Sequence, residues 1–325
     1  MQQSAELLKQ NGILRQTWTF RWLARWRNVA EKLKPGEYQF APDMTVAEVL
    51  NKIVRGDRVV HKLTIPEGFT FAQVAALLEK NKIAPQAEVL ALFRDPKLLG
   101  ELDFPAVNLE GYLFPATYEY DRESTAAELL AQMVQSFKRN FSTDLRERAM
   151  QRGWSIPQVV TLASIIEKET GQAGERALIS AVFHNRLRLG MPLQTDPTVI
   201  YGLPHFDGNL RREDLRNPHP YNTYVHIGLP PGPIASPGKA SLEAALSPSS
   251  SDYLFFVAKG DGTHQFSATI DEHNAAVAKY QLRKIPGAES QATSVSPTPE
   301  TKPSPTPKVT LPLMKPVPMP RNAAP

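Results

Sequence analysis

The chain of 325 residues contains no cysteine, so disulfides and thiolate-ligated metal centres are excluded. Histidine is sparse and scattered: His61, His184, His205, His219, His226, His264 and His273. No two of them have the helical spacing of a zinc protease, and no metal or cofactor is expected. Long apolar runs are also missing. Nothing approaches the roughly 18 consecutive apolar residues of a spanning helix, and no apolar secretory region opens the chain. The net charge of +4 comes without a concentrated basic run, which argues against a nucleic-acid partner. The nearest approach to one is Arg21, Arg25 and Arg27 interleaved with Trp18, Trp22 and Trp26, read as an amphipathic helix with a solvated basic side.

What is present suits a globular protein with a core: 42% apolar and 22% charged residues, over a length that accommodates two domains. The first 107 residues read as small strand–helix units. Helices are expected over Ala5–Gln10 and Thr17–Leu33, and a short strand at Tyr38–Phe40. Thr45 with Glu48 three residues on forms a capping box for a helix to about Val54. An alternating strand, Val59–Ile65, leads through Pro66-Glu67-Gly68 to a helix from Thr70 to about Lys80.

From about Asn108 the composition changes. An aromatic segment broken by Gly and Pro, Leu109–Tyr118, precedes helices expected over Ala126–Phe141 and on through Met150. Ser155 and Pro157 open a helix to about Thr170, and another runs from Gly174 to Leu189. Residues 191–238 are rich in Pro, Gly, Asn and Thr and read as a long functional loop region. Tyr253–Ala258 and Thr263–Phe266 form a hairpin across Lys259-Gly260-Asp261-Gly262, followed by a helix over Ile270–Arg283. From Pro286 on, Pro, Ser, Thr and Lys dominate without apolar period, so residues 285–325 are expected to be a disordered or polyproline-like tail.

Two glutamates carry the chemical interest. On the helix ending at Thr170, Val159, Leu162, Ala163 and Ile166 define an apolar face, with Lys168 opposite and Glu167 and Glu169 at its flanks. Either glutamate can stand at a groove edge as a carboxylic proton donor, and periodicity does not choose between them. The segment Met191–Gly202 sets Gln194, Thr195, Asp196 and Tyr201 beside rigid turns, a set suited to sugar hydroxyls and N-acetyl groups. Asn222 and Tyr224, in Tyr221–Tyr224, are candidates for N-acetyl contacts, and Glu110 either pairs with Arg186 or lines the groove. His264 and Phe266 are placed to complete it.

Taken in order, Glu110-Gly111-Tyr112, Ala163–Thr170, Val182–Leu187, Leu193–Gly202, Tyr221–Tyr224, Gly228–Ile234 and Tyr253–Val257 resemble the YceG-like endolytic murein transglycosylases. The resemblance spans residues 108–284 as a catalytic domain, and residues 1–107 are similar to that family's LysM-like region. It implies an α+β fold: a small LysM-like N-terminal module and a larger mixed α+β catalytic domain. It also implies cleavage between N-acetylmuramic acid and N-acetylglucosamine in nascent glycan strands, leaving 1,6-anhydro ends and terminating elongation. The family glutamate is the second of Glu-Lys-Glu, hence Glu169, with Glu167 the alternative. The implied partners are peptidoglycan glycan strands and penicillin-binding synthases. The implied location is the inner membrane, single-pass, with a periplasmic catalytic domain; the family's anchor and first strand would precede the point where this sequence opens. Two other readings are a non-catalytic peptidoglycan-binding scaffold and a lysozyme-type hydrolase.

Overall fold

A computed structural model describes residues 1–169, 171–282 and 308–311. The fold is mixed α+β, and the chain separates into two units. Among the described residues, one comprises 1–63, 119–124 and 308–311, and the other comprises 64–118 and 125–282. The chain first passes from one to the other at Leu63/Thr64.

In the first unit α1 (Gln2–Gln10), α2 (Thr17–Trp26) and α3 (Val46–Arg55) accompany a short strand, β1 (Gly36–Gln39). Its core gathers Leu8, Leu14, Phe20, Ala24, Tyr38, Phe40, Leu50 and Ile53. The Thr45–Glu48 capping box is present, and Gly56 closes α3 in the left-handed conformation. Helix α2 stops at Trp26 rather than Leu33, because Asn28 turns to φ +52 and Val29 N–H reaches back to the Ala24 carbonyl. Asparagine is among the few side chains that tolerate this region. Strand β2 (His61–Thr64) is shorter than the alternating run.

The second unit holds α4 (Phe71–Lys80), α5 (Gln86–Ala91), α6 (Pro96–Gly100), the start of β3 (Thr117–Tyr120), and α7 (Ala126–Asn140) with α8 (Thr143–Gln151). Helix α9 (Ile156–Glu169) is its centre, contacted by α8, α10 (Arg176–Arg188), α11 (Asp196–Gly202) and α12 (Lys239–Leu246). The sequence suggested one apolar face for α9, yet every residue from Val159 to Ile166 is buried. Its polar members are satisfied internally: Ser164 Oγ donates to the Thr161 carbonyl and accepts from Ile234 N–H at 3.0 Å. A helix enclosed on all sides can carry such residues only with partners of this kind. The hairpin of β4 (Phe255–Ala258) and β5 (His264–Ser267) is antiparallel, with Phe256 opposite Phe266, and α13 (Ile270–Val277) follows.

Helices α11 and α12 lie where the sequence offered loop or no assignment. Strand β6 (Lys308–Leu311) pairs antiparallel with β1, Glu37 opposite Thr310. These four residues lack the prolines around them and include the β-branched Val309 and Thr310. Thr170, Arg283 and the rest of the tail lie outside the described residues.

Candidate active site

Glu169 is the last residue of α9 and lines a cleft of about 330 Å³. Arg186, Leu193, Gln194, Asp196, Tyr224, Phe255, Phe256, Ile270 and His273 complete the lining. Burial pushes the Glu169 carboxyl from its ordinary 4.5 up to about 7. The hydroxyl of Thr195, which donates to Glu169 Oε1, acts against that rise. The charge of Asp196 adds to it, and His264 and Arg186 oppose it. The net result is a carboxyl that carries a proton in a substantial share of molecules near neutrality, the property required of a general acid.

Glu167, two residues earlier, has a different environment. Its Oε2 accepts from Gly238 N–H at 2.9 Å, and its Oε1 lies 3.7 Å from the Arg176 guanidinium. Its side chain is 7% exposed. It ties α9 to α10 and to the start of α12, and it does not line the Glu169 cleft. The geometry thus separates two glutamates that periodicity leaves equivalent.

The turn before α11 is held from several sides. Gln194 adopts φ +49, and its N–H donates to the Thr223 carbonyl. Thr195 N–H donates to Thr223 Oγ1 at 3.1 Å. Arg186, only 8% exposed, donates from Nη1 to the Leu193 carbonyl at 2.9 Å and from Nε to the Leu254 carbonyl at 2.7 Å. Its guanidinium also stands 5.2 Å from the Phe255 ring centre. One side chain therefore fixes both the 192–194 turn and the β4 edge of the cleft. Asp196 begins α11 and accepts from Tyr224 Oη at 2.6 Å, which places an acid–phenol pair on the same wall as Glu169. Burial, with the bond to Asp196, holds the Tyr224 hydroxyl well above its ordinary value.

The candidate residues do not all converge. Gln194, Thr195, Asp196 and Tyr224 gather at Glu169, but Glu110 and Tyr201 belong to a second cleft of about 460 Å³, with Thr70, Phe71, Phe93 and Ile200. Glu110 does not pair with Arg186. It accepts from Phe71 N–H at 2.9 Å and from Tyr201 Oη at 3.1 Å. Burial drives its carboxyl up to about 7 against those bonds. The two clefts share α11, with Asp196 at its start and Ile200 and Tyr201 near its end.

Asn222 is enclosed by its own loop. It is 1% exposed, its amide nitrogen donates to the carbonyls of Asp214, Leu215 and Asn217, and its Oδ1 accepts from Tyr224 N–H. It shapes the loop that presents Tyr224. His264 Nδ1 sits 2.7 Å from Glu175 Oε2, and His264 is not among the residues that line the cleft. Residues the sequence left unassigned are Phe255, Phe256, Ile270 and His273. The strong strand and the helix after it were legible, but not the wall they would line.

Among the described residues no cluster of His, Asp and Glu suits a metal ion, and no helix is long and apolar enough to cross a membrane.

With this geometry in view, the profile of the YceG-like family matches residues 1–279. The chain is similar to an endolytic murein transglycosylase of Bacillus subtilis (strain 168), 32% identical over 295 residues, covering 85% of this chain and 81% of that protein. A protein of the same description from Streptococcus pneumoniae serotype 2 is 28% identical over 317 residues, covering 88% of this chain and 57% of its own. A crystal structure of a yceG-like protein from Listeria monocytogenes superposes with a TM-score of 0.61 at 34% identity, over 83% of this chain and 93% of that one.

Proposed function

We propose that this chain, which belongs to the YceG-like family, is a murein transglycosylase, a lyase that cuts glycan strands of peptidoglycan internally. The observation that carries the reading is the state of Glu169: a carboxyl at the end of a buried helix, facing a cleft, with its proton affinity raised to about 7. The names of the two relatives support the substrate class and the reaction.

In the proposed reaction Glu169 gives its proton to the oxygen bridging N-acetylmuramic acid and N-acetylglucosamine. The bond from the muramic C1 to that oxygen breaks, and positive charge develops at C1. The same sugar's C6 hydroxyl attacks C1, and its proton passes to the Glu169 carboxylate. The products are a 1,6-anhydromuramic end and a free 4-hydroxyl, no water is consumed, and the acid is restored. One carboxyl serves both steps, so a pair at fixed separation is not required. Thr195 holds Glu169 in one rotamer, and the Tyr224–Asp196 pair offers polar contacts to the sugar on the adjoining wall. Arg186 keeps that wall in place.

The family resemblance further supports termination of nascent strands beside penicillin-binding synthases at the periplasmic face of the inner membrane, and a LysM-like role for the N-terminal region. A hydrolase of lysozyme type is the second reading, because Asp196 brings another carboxylate into the Glu169 cleft. Mass spectrometry of the ends released from purified glycan strands separates them: anhydromuramic ends support the transglycosylase, and ordinary reducing ends support the hydrolase.

A further inference from the structure

Helix α2 is apolar on two opposite sides. Phe20 and Ala24 are fully buried in the core of the first unit. On the far side Trp18, Trp22 and Trp26 are 62%, 60% and 70% exposed. At 3.6 residues per turn these three tryptophans and Arg21 and Arg25 fall within an arc of about 140°. The exposed rings together present on the order of 400 Å² of largely apolar surface, a patch of the size that ordinarily marks an interaction site. It continues into an apolar hollow of about 510 Å³ between α2 and the start of α3, lined by Trp18, Trp22, Leu23, Val46 and Ala47.

Charge and ring geometry indicate what covers this face. Between Glu6 and Glu31 there is no acidic residue, while Lys9, Arg15, Arg21, Arg25 and Arg27 all lie in that interval. Neither Arg21 nor Arg25 makes an ion pair among the described residues. The nearby Glu48 is engaged by the backbone and hydroxyl of Thr45 in the α3 cap. The face therefore suits an anionic partner. The rings of Trp22 and Trp26 stack on each other, 5.9 Å apart and 4° from parallel. Each thus has part of one face covered by the other. A sugar-binding platform offers open faces; a stacked, arginine-flanked pair suits insertion among lipid headgroups, where tryptophan rings and guanidinium groups both settle well.

We propose that the Trp18–Trp22–Trp26 face of α2, with Arg21 and Arg25, docks on the surface of an anionic phospholipid bilayer. The contact is superficial: a ten-residue helix lies along the interface with its opposite side still in the core. This proposal is independent of the cleavage reading, since none of its residues lines either cleft described above.

The test is flotation of the full chain with vesicles of phosphatidylglycerol and phosphatidylcholine, against vesicles of phosphatidylcholine alone. The chain is expected to float with the anionic vesicles at low salt, with a blue shift of tryptophan emission, and to bind the neutral ones far more weakly. Each of Arg21→Gln and Arg25→Gln should weaken partitioning about fivefold. The double variant Trp22→Ala/Trp26→Ala should lose at least about tenfold, with an unchanged melting temperature because both rings are exposed. Absence of flotation by the parent, or flotation unaffected by any of these variants, overturns the proposal. So does retention on purified glycan strands, or self-association, that the tryptophan variant abolishes while vesicle binding is absent.

Discussion

The hydroxyl of Thr195, at the start of α11, donates to the Glu169 carboxyl at the end of α9. This joins the two helices beside the cleft, and it gives the acid a fixed rotamer. It also opposes the burial that raises the proton affinity of Glu169. The reactivity of Glu169 is thus a balance between a dry environment and one well-placed hydroxyl.

That balance predicts a pH profile. The acid must be protonated when substrate binds, so the rate should hold below about 7 and fall roughly tenfold per unit above it. Thr195→Val removes the hydroxyl that favours the ionised form. The alkaline limb should then move upward by about one unit. A limb that stays in place, or moves down, contradicts this role for Thr195.

Glu167→Gln separates the two glutamates. The amide still accepts from Gly238 N–H, but Arg176, whose side chain is 13% exposed, loses its nearest opposite charge. Stability should drop by about 1–3 kcal/mol, read by chemical denaturation, while cleavage stays within about tenfold of the parent. An inactive variant of unchanged stability would move the acid to Glu167.

Glu110 and Glu169 both hold their protons more tightly in the folded chain than at the ordinary 4.5. The folded state therefore binds more protons than the unfolded one between about pH 4.5 and 7, and stability should decline as pH rises through that window. Each group contributes a slope of at most about 1.4 kcal/mol per pH unit. Glu110→Gln should make the decline shallower in melting curves recorded across the window. An unchanged slope would show that Glu110 titrates normally.

Gly111 stands at φ +84, where an added Cβ would lie 2.5 Å from Pro233 Cβ and 3.0 Å from Val160 Cγ1. Both neighbours are rigid, and α9 is enclosed around Val160. Gly111→Ala should cost about 2–4 kcal/mol, from backbone strain and overpacking together. A loss below about 0.5 kcal/mol in urea denaturation would mean that the Pro233 loop yields.

Local chemistry was the legible part of the sequence. The box at Thr45–Glu48 and the cap at Thr70 start their helices as written, because a cap is decided within four residues. Turn signals likewise set the β4–β5 hairpin. The start of α11 was not read, because Thr195-Asp196-Pro197, a helix-opening signature, reads as a turn in a loop-rich region. What the sequence does not carry is which polar group meets which. Gly238 lies 71 residues beyond Glu167, and Leu254 lies 68 beyond Arg186. Asn222 looks like a ligand contact from its type, but three carbonyls of its own loop claim its amide. Glu110 was read as a partner of Arg186 or a groove residue, whereas its bond to Tyr201, 91 residues on, and their cleft separate from that of Glu169 are set only by tertiary packing.

The most direct test of the central claim compares the parent chain with Glu169→Gln by mass spectrometry of the ends released from purified glycan strands. Release of 1,6-anhydromuramic ends by the parent, reduced at least about a thousandfold in the variant, is the expected result. Anhydro ends from both proteins at similar rates would contradict the assignment of Glu169 as the acid.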